Sequence, residues 1–108
     1  MIIATVELVP RTEQRKAMLE MLQYVQGHVA VWPDCLGSGV YEASDHSERV
    51  LYLERWNSDR GLHAHIRSGL YLRLLHAMEL ASEPPVISFH EVSKTRSMEL
   101  IEELRVVR

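Results

Sequence analysis

The chain has 108 residues and a mass of 12.5 kDa, enough for one domain with a real core and too little for two of ordinary size. Apolar residues at 46% and charged residues at 25% lie in the globular range, and five Gly with four Pro exclude a collagenous or low-complexity chain. The net charge of -3, from 15 acids and 12 bases spread along the sequence, leaves no basic face for a phosphate backbone, so no nucleic-acid partner is expected.

Residues 2–9 alternate, with Ala4, Val6 and Leu8 on one face and Ile3, Thr5 and Glu7 on the other, which predicts a strand ended by Pro10. Thr12 can cap the next helix and Glu13 suits its dipole; Met18, Met21, Leu22, Val25 and Val29 then recur at helical spacing to about residue 30. The longest uncharged run, Met21 to Pro33, has 13 residues and cannot span a bilayer, so no membrane partner is expected. Cys35 stands alone, which forbids an intrachain disulfide and a thiolate zinc site and suits a reduced cytoplasm; nothing at the N-terminus reads as a secretory signal.

Gly39 to Ala43 reads as a short strand, Ser44 to Ser47 as a polar turn, and Arg49 to Trp56 as a strand rich in β-branched and aromatic residues, together a hairpin. Ser58 can cap a second helix, which Ser68-Gly69 interrupts and which continues through Leu70, Leu74, Leu75 and Met78 to about Ala81. Val86 to Val92 is a fourth strand, and Ser97 to about Val107 a charged helix with Met98, Ile101 and Leu104 on one side. The order βαββαβ is that of an α+β, ferredoxin-like domain with a four-stranded antiparallel sheet over residues 1–96, followed by an amphipathic helix over 97–108. Helices can cover only one face of such a sheet, yet Leu51 and Leu53 alternate with Val50, Tyr52 and Trp56, so the other face asks for a partner.

Glu54-Arg55-Trp56 at a strand end, then a helix start and His65-Ile66-Arg67-Ser68, resembles the antibiotic biosynthesis monooxygenase family of dimeric α+β barrels. The resemblance covers residues 1 to about 93 in element order, with its specific content between Tyr52 and Ser68. It implies a homodimer formed through the sheet face and, for some members, oxidation of aromatic phenols or quinols by O₂ with neither metal nor flavin. The haem-degrading branch carries an Asn on the first strand, where this chain reads Thr5-Val6-Glu7, so haem binding or degradation is the weaker implication. The tail helix lies beyond the family pattern.

His63-Ala64-His65 has a metal-like look, but on a helix its two side chains diverge by about 200°. The two histidines flank the Leu62/Ile66 stripe on opposite edges, and periodicity does not choose between them. The resemblance selects His65 as the base for a phenol, a task suited to imidazole, which ordinarily titrates near neutral pH; the alternative is a boundary histidine bonded to a backbone carbonyl. Trp56 is either the floor of an aromatic pocket or a core anchor between sheet and helix. Glu54 shares its face, and a salt bridge to an Arg or a substrate-binding role would each explain an acid there. Tyr41, Tyr52 and Tyr71 are candidate pocket walls, and Cys35 a buried or idle thiol. No glycine-rich phosphate loop follows a strand, so no nucleotide cofactor is expected. Two functions follow: a cofactor-independent monooxygenase acting on a small aromatic phenol or quinol, or a non-enzymatic dimeric module that binds or senses such a molecule in the same pocket.

Overall fold

The computed structural model describes residues 1–106. In chain order the elements are β1 (Ile2–Leu8), α1 (Arg15–Val29), β2 (Cys35–Glu42), β3 (Val50–Trp56), α2 (Asp59–Ile66), α3 (Gly69–Met78), β4 (Val86–Glu91) and α4 (Met98–Leu104). The four strands form one antiparallel sheet in the order β2-β3-β1-β4, the ferredoxin-like arrangement expected from the element order.

Alternation sorts the sheet into two faces. Ile2, Ala4, Val6 and Leu8 of β1 and Val50, Tyr52, Glu54 and Trp56 of β3 are buried beneath the helices. On the opposite face Ile3, Thr5, Leu51 and Leu53 are half-buried, with Tyr41 and Val86 exposed, and no helix among the described residues covers them. The helix α1 buries Met18, Leu22, Val25 and Val29, a stripe spaced at one-turn intervals. It packs on α3, which buries Tyr71, Leu74 and Ala77. Each such aliphatic side chain contributes about 1.5–3 kcal/mol by leaving water.

The core has two parts, and their division positions the site. Val6, Leu8, Met18, Leu22, Val50, Tyr52 and Leu74 belong to one apolar cluster, and Ile2, Val29, Trp56 and Leu62 to the other. Glu54 lies between Tyr52 and Trp56 on β3, at the seam where the two clusters meet.

Several boundaries differ from the sequence reading. Thr12 opens a 3-10 turn, Thr12–Gln14, and makes no cap hydrogen bond; α1 starts at Arg15. The strand β2 starts at Cys35 rather than Gly39, because a register shift between Cys35 and Gly37 lets the chain pair earlier than its alternation suggests. The second helical region is two helices. Ser58 Oγ accepts from the Gly61 amide at 3.1 Å to start α2; Ser68 Oγ donates to the His65 carbonyl at 2.6 Å and accepts from the Tyr71 amide at 3.3 Å, closing one helix and opening the next.

The tail helix α4 ends at Leu104, and Val107 lies outside the described residues. Met98, Ile101 and Leu104 are 59%, 52% and 74% exposed, so the stripe is not seated on the body of its own chain. The radius of gyration, 16.3 Å, against about 13 Å for a compact chain of this length, fits an outstanding arm.

Candidate functional site

Three donors converge on one carboxylate. Tyr52, Glu54 and Trp56 share a face of β3 because they are two residues apart, and α2 lowers His65 onto the same spot. The Tyr52 hydroxyl donates to Glu54 Oε2 at 2.5 Å, Trp56 Nε1 donates to Glu54 Oε1 at 2.9 Å, and His65 Nε2 stands 2.9 Å from Glu54 Oε2. Glu54 is 2% exposed and His65 0%. A buried carboxylate needs this much hydrogen bonding to tolerate its surroundings. Since the carboxylate is the acceptor for Tyr52 and Trp56, we assign the His65 proton to Nε2, donating to Glu54.

In the neutral imidazole that assignment leaves His65 Nδ1 as the acceptor nitrogen, and Nδ1 is buried without a hydrogen-bond partner among the described residues. Aromatic rings enclose the imidazole. Trp56 stacks on it with centroids 5.3 Å apart, while Trp32 at 5.3 Å and Tyr71 at 5.2 Å meet it edge to face. Trp32 is delivered by the turn after α1, where Asp34 takes a left-handed conformation (φ 68°) and is tied to the end of β3. Its carbonyl accepts from the Asn57 amide at 2.8 Å and its carboxylate from Ser58 Oγ at 2.9 Å. Gly61 lets α2 approach closely, since a Cβ there would stand 2.9 Å from Asp34 Cβ and 3.2 Å from Trp56 Cε3.

Burial fixes the protonation of the two tyrosines. Burial, reinforced by the Glu54 carboxylate, pushes the Tyr52 hydroxyl far above the ordinary tyrosine range, and burial does the same in direction for Tyr71. Both stay protonated, so neither tyrosine takes a proton from a ligand. Burial also raises the Cys35 thiol, consistent with an idle side chain.

A narrow cleft of about 10 Å³, room for one water, runs between β1, β4 and α3 and ends on Glu54, Tyr52 and Tyr71, with Leu74 and Phe89 on its walls. His65 does not line it; Tyr71 stands between the cleft and the imidazole. Past Phe89 lies an open groove of about 550 Å³ lined by Ile2, Asp59, Leu62, His63, Ile66 and Glu91.

Among the candidate residues, the structure brings together Glu54, His65, Trp56, Tyr52 and Tyr71. Tyr41 is not with them. It pairs with Leu51, sits on the opposite face of the sheet at 55% exposure, and is remote from the carboxylate. Trp56 is 0% exposed, which makes it a core anchor whose indole N–H holds Glu54 rather than the floor of a cavity. Glu54 pairs with His65 and not with an Arg, and His65 bonds a carboxylate and not a backbone carbonyl. His63 is exposed at the groove and diverges from His65 as a helix requires. Trp32 and Phe89, absent from the sequence-based candidates, complete the surroundings. No helix among the described residues is long and apolar enough to cross a membrane.

Residues 1–77 match the antibiotic biosynthesis monooxygenase family. Among solved structures, Rv0793 from Mycobacterium tuberculosis has a TM-score of 0.80 at 22% identity, covering 89% of this chain and 98% of its own. A Deinococcus radiodurans protein carrying the same family name gives 0.80 at 18% identity over 90% and 97%, and a conserved protein from Methanosarcina mazei Go1 gives 0.76 at 19% over 82% and 89%. At these identities the likeness establishes the fold. A search of curated proteins found no match. The family match over 77 of 108 residues and the shared fold agree, and the chain belongs to the antibiotic biosynthesis monooxygenase family.

Proposed function

We propose that the protein oxidises a small aromatic phenol or quinol with O₂, using His65 as the base. The observation that carries this reading is the buried, unpartnered Nδ1 of an imidazole whose other nitrogen is fixed by Glu54. A base oriented by a carboxylate recurs wherever side chains activate a hydroxyl. Glu54 has three donors on its oxygens, and the tyrosines hold their protons, so Nδ1 is the free acceptor. A substrate hydroxyl that enters beside Tyr71 gives its proton to Nδ1. The resulting anion is electron-rich enough to react with O₂, and the enclosing aromatic side chains keep water from competing.

The overall step balances without an external reductant. In a phenol the ring C–H para to the hydroxyl becomes a carbonyl, giving quinone plus water, and in a quinol a ring C–H ortho to a hydroxyl becomes C–O, giving hydroxyquinone plus water. In both, one atom of O₂ enters the ring, the other leaves as water, and the substrate supplies all four electrons. The chain therefore acts with no bound cofactor in this reading. Oxygen uptake by metal-free protein with a panel of naphthols and hydroquinones is the test. Uptake that places one atom of ¹⁸O₂ in the quinone product supports the reading, and no uptake across the panel, or uptake that yields only unlabelled quinone and peroxide, overturns it.

The complete enclosure of His65 favours a second reading, a non-enzymatic binding module for the same class of molecule. Tight binding without oxygen uptake distinguishes it. In either case we propose a homodimer joined through the uncovered sheet face, where Leu51, Leu53 and Ile3 lie open to a second copy. Light scattering that returns a monomer near 12.5 kDa at micromolar concentration would contradict the dimer.

A further inference from the structure

We propose that Phe89 is a gate that sets the specificity of this site, and that the groove behind it admits an uncharged, flat aromatic ring and turns away an anionic one. The inference takes from the proposed function only the location of the chemistry.

Phe89 pairs with Ala4 and points to the helix-covered face, yet it is 47% exposed. The reason is topological. The helices α1, α2 and α3 pack over β2, β3 and each other, and β4 is an edge strand whose main packing partner is β1. The aromatic side chain therefore lies at the margin of the helix layer, bordered by Leu74 of α3 on the cleft side and by Leu62 and Ile66 of α2 on the groove side. On one side of the ring is the narrow cleft that ends on Glu54, and on the other the wide groove; among the described residues Phe89 alone lines both.

Volume decides what this partition does. The cleft, at about 10 Å³, holds a water at most, whereas a cavity of roughly 150 Å³ is needed for benzene. The groove, at about 550 Å³, is in the range of small-molecule sites. A ring resting on Ile2, Leu62 and Ile66 thus reaches the carboxylate end only when the Phe89 side chain swings from between the two spaces, and a half-exposed side chain on an edge strand has the freedom to do so.

Charge decides which rings come in. Asp59 and Glu91 stand at the groove and Glu54 at the cleft end, three carboxylates against the single imidazole of His63. A ligand carboxylate there faces like charge throughout its path, and an uncharged ring bearing only a hydroxyl does not.

The test is anaerobic binding of 2-naphthol and of 3-hydroxy-2-naphthoate, followed by stopped-flow tryptophan fluorescence, since Trp56 and Trp32 both touch His65. Wild type is expected to bind the naphthol at least about tenfold more tightly, and Asp59→Asn with Glu91→Gln to narrow that ratio to about twofold. Phe89→Ala is expected to raise the association rate of naphthol about tenfold and Phe89→Trp to lower it, with melting temperatures confirming that both fold. Equal affinity for the two ligands in wild type, no binding of either, or association rates unmoved by both Phe89 variants would overturn the gate. Selective, Phe89-dependent binding with no oxygen uptake keeps the gate and rejects the oxygenase; oxygen uptake with Phe89-independent rates does the reverse.

Discussion

Tyr52→Phe isolates one of the three bonds that hold Glu54. The substitution removes a single oxygen from a side chain that is 1% exposed and leaves the ring in place, so its cost comes from the carboxylate and not from a cavity. A hydrogen bond to a charged group is worth about 1.5–3 kcal/mol, and the buried carboxylate keeps only Trp56 and His65. A loss of about 2 kcal/mol lowers the melting temperature by about 8 °C or more for a domain of this size. The same tyrosine makes the effect depend on pH. Its folded pKa is raised above the ordinary 10.0, so its stabilising contribution is complete below pH 10 and declines as pH rises beyond it, because the unfolded chain releases the proton first. One unit above that value the wild type has lost about 1.4 kcal/mol through Tyr52, and the variant nothing by this route. Urea denaturation of both proteins near pH 8 and pH 11 should therefore show the difference between them shrinking from about 2 to about 0.6 kcal/mol. A difference below about 0.5 kcal/mol near pH 8, or one that grows at pH 11, would refute the reasoning.

Three further outcomes follow from the same geometry. His65→Gln should reduce oxygen-dependent turnover by about a hundredfold or more, while His63→Gln, on the exposed side of α2, is nearly silent; the opposite ranking in steady-state kinetics would place the base at the groove. Gly61→Ala should destabilise the fold by about 1–3 kcal/mol, because its Cβ meets Asp34 at 2.9 Å, and an unchanged thermal melt would show that α2 can retreat from Trp56. Deleting residues 97–108 should leave the melting temperature of dilute protein within about 2 °C, since α4 buries no residue in the body, and weaken self-association measured by ultracentrifugation; a large fall in stability of the monomer would mean that the arm folds back.

Element order and the two faces of β1 and β3 were legible in the sequence because a strand's alternation is local. Faces across strands were not. Tyr41 has the look of a pocket tyrosine until the register places it opposite Leu51, on the uncovered face. The early start of β2 was hidden because the irregular register between Cys35 and Gly37 breaks the period that announces a strand. The Glu54 and Trp56 pairing could be read from a spacing of two, but the junction with His65 needs α2 docked on β3, and the two histidines sit symmetrically about the helix stripe. Phe89 carried no local signal at all. Its parity says covered, and only the exposure of Ile87 and Phe89 in the folded chain reveals that the cover thins over β4.

The most direct measurement of the central assignment is nitrogen NMR of the His65 ring, with and without a bound phenol. Free protein is expected to show a proton on Nε2 and none on Nδ1, with the Nδ1 resonance moving toward a hydrogen-bonded or protonated value when the phenol binds. A proton on Nδ1 in the free protein, or an Nδ1 resonance indifferent to a phenol that demonstrably binds, would contradict His65 as the base.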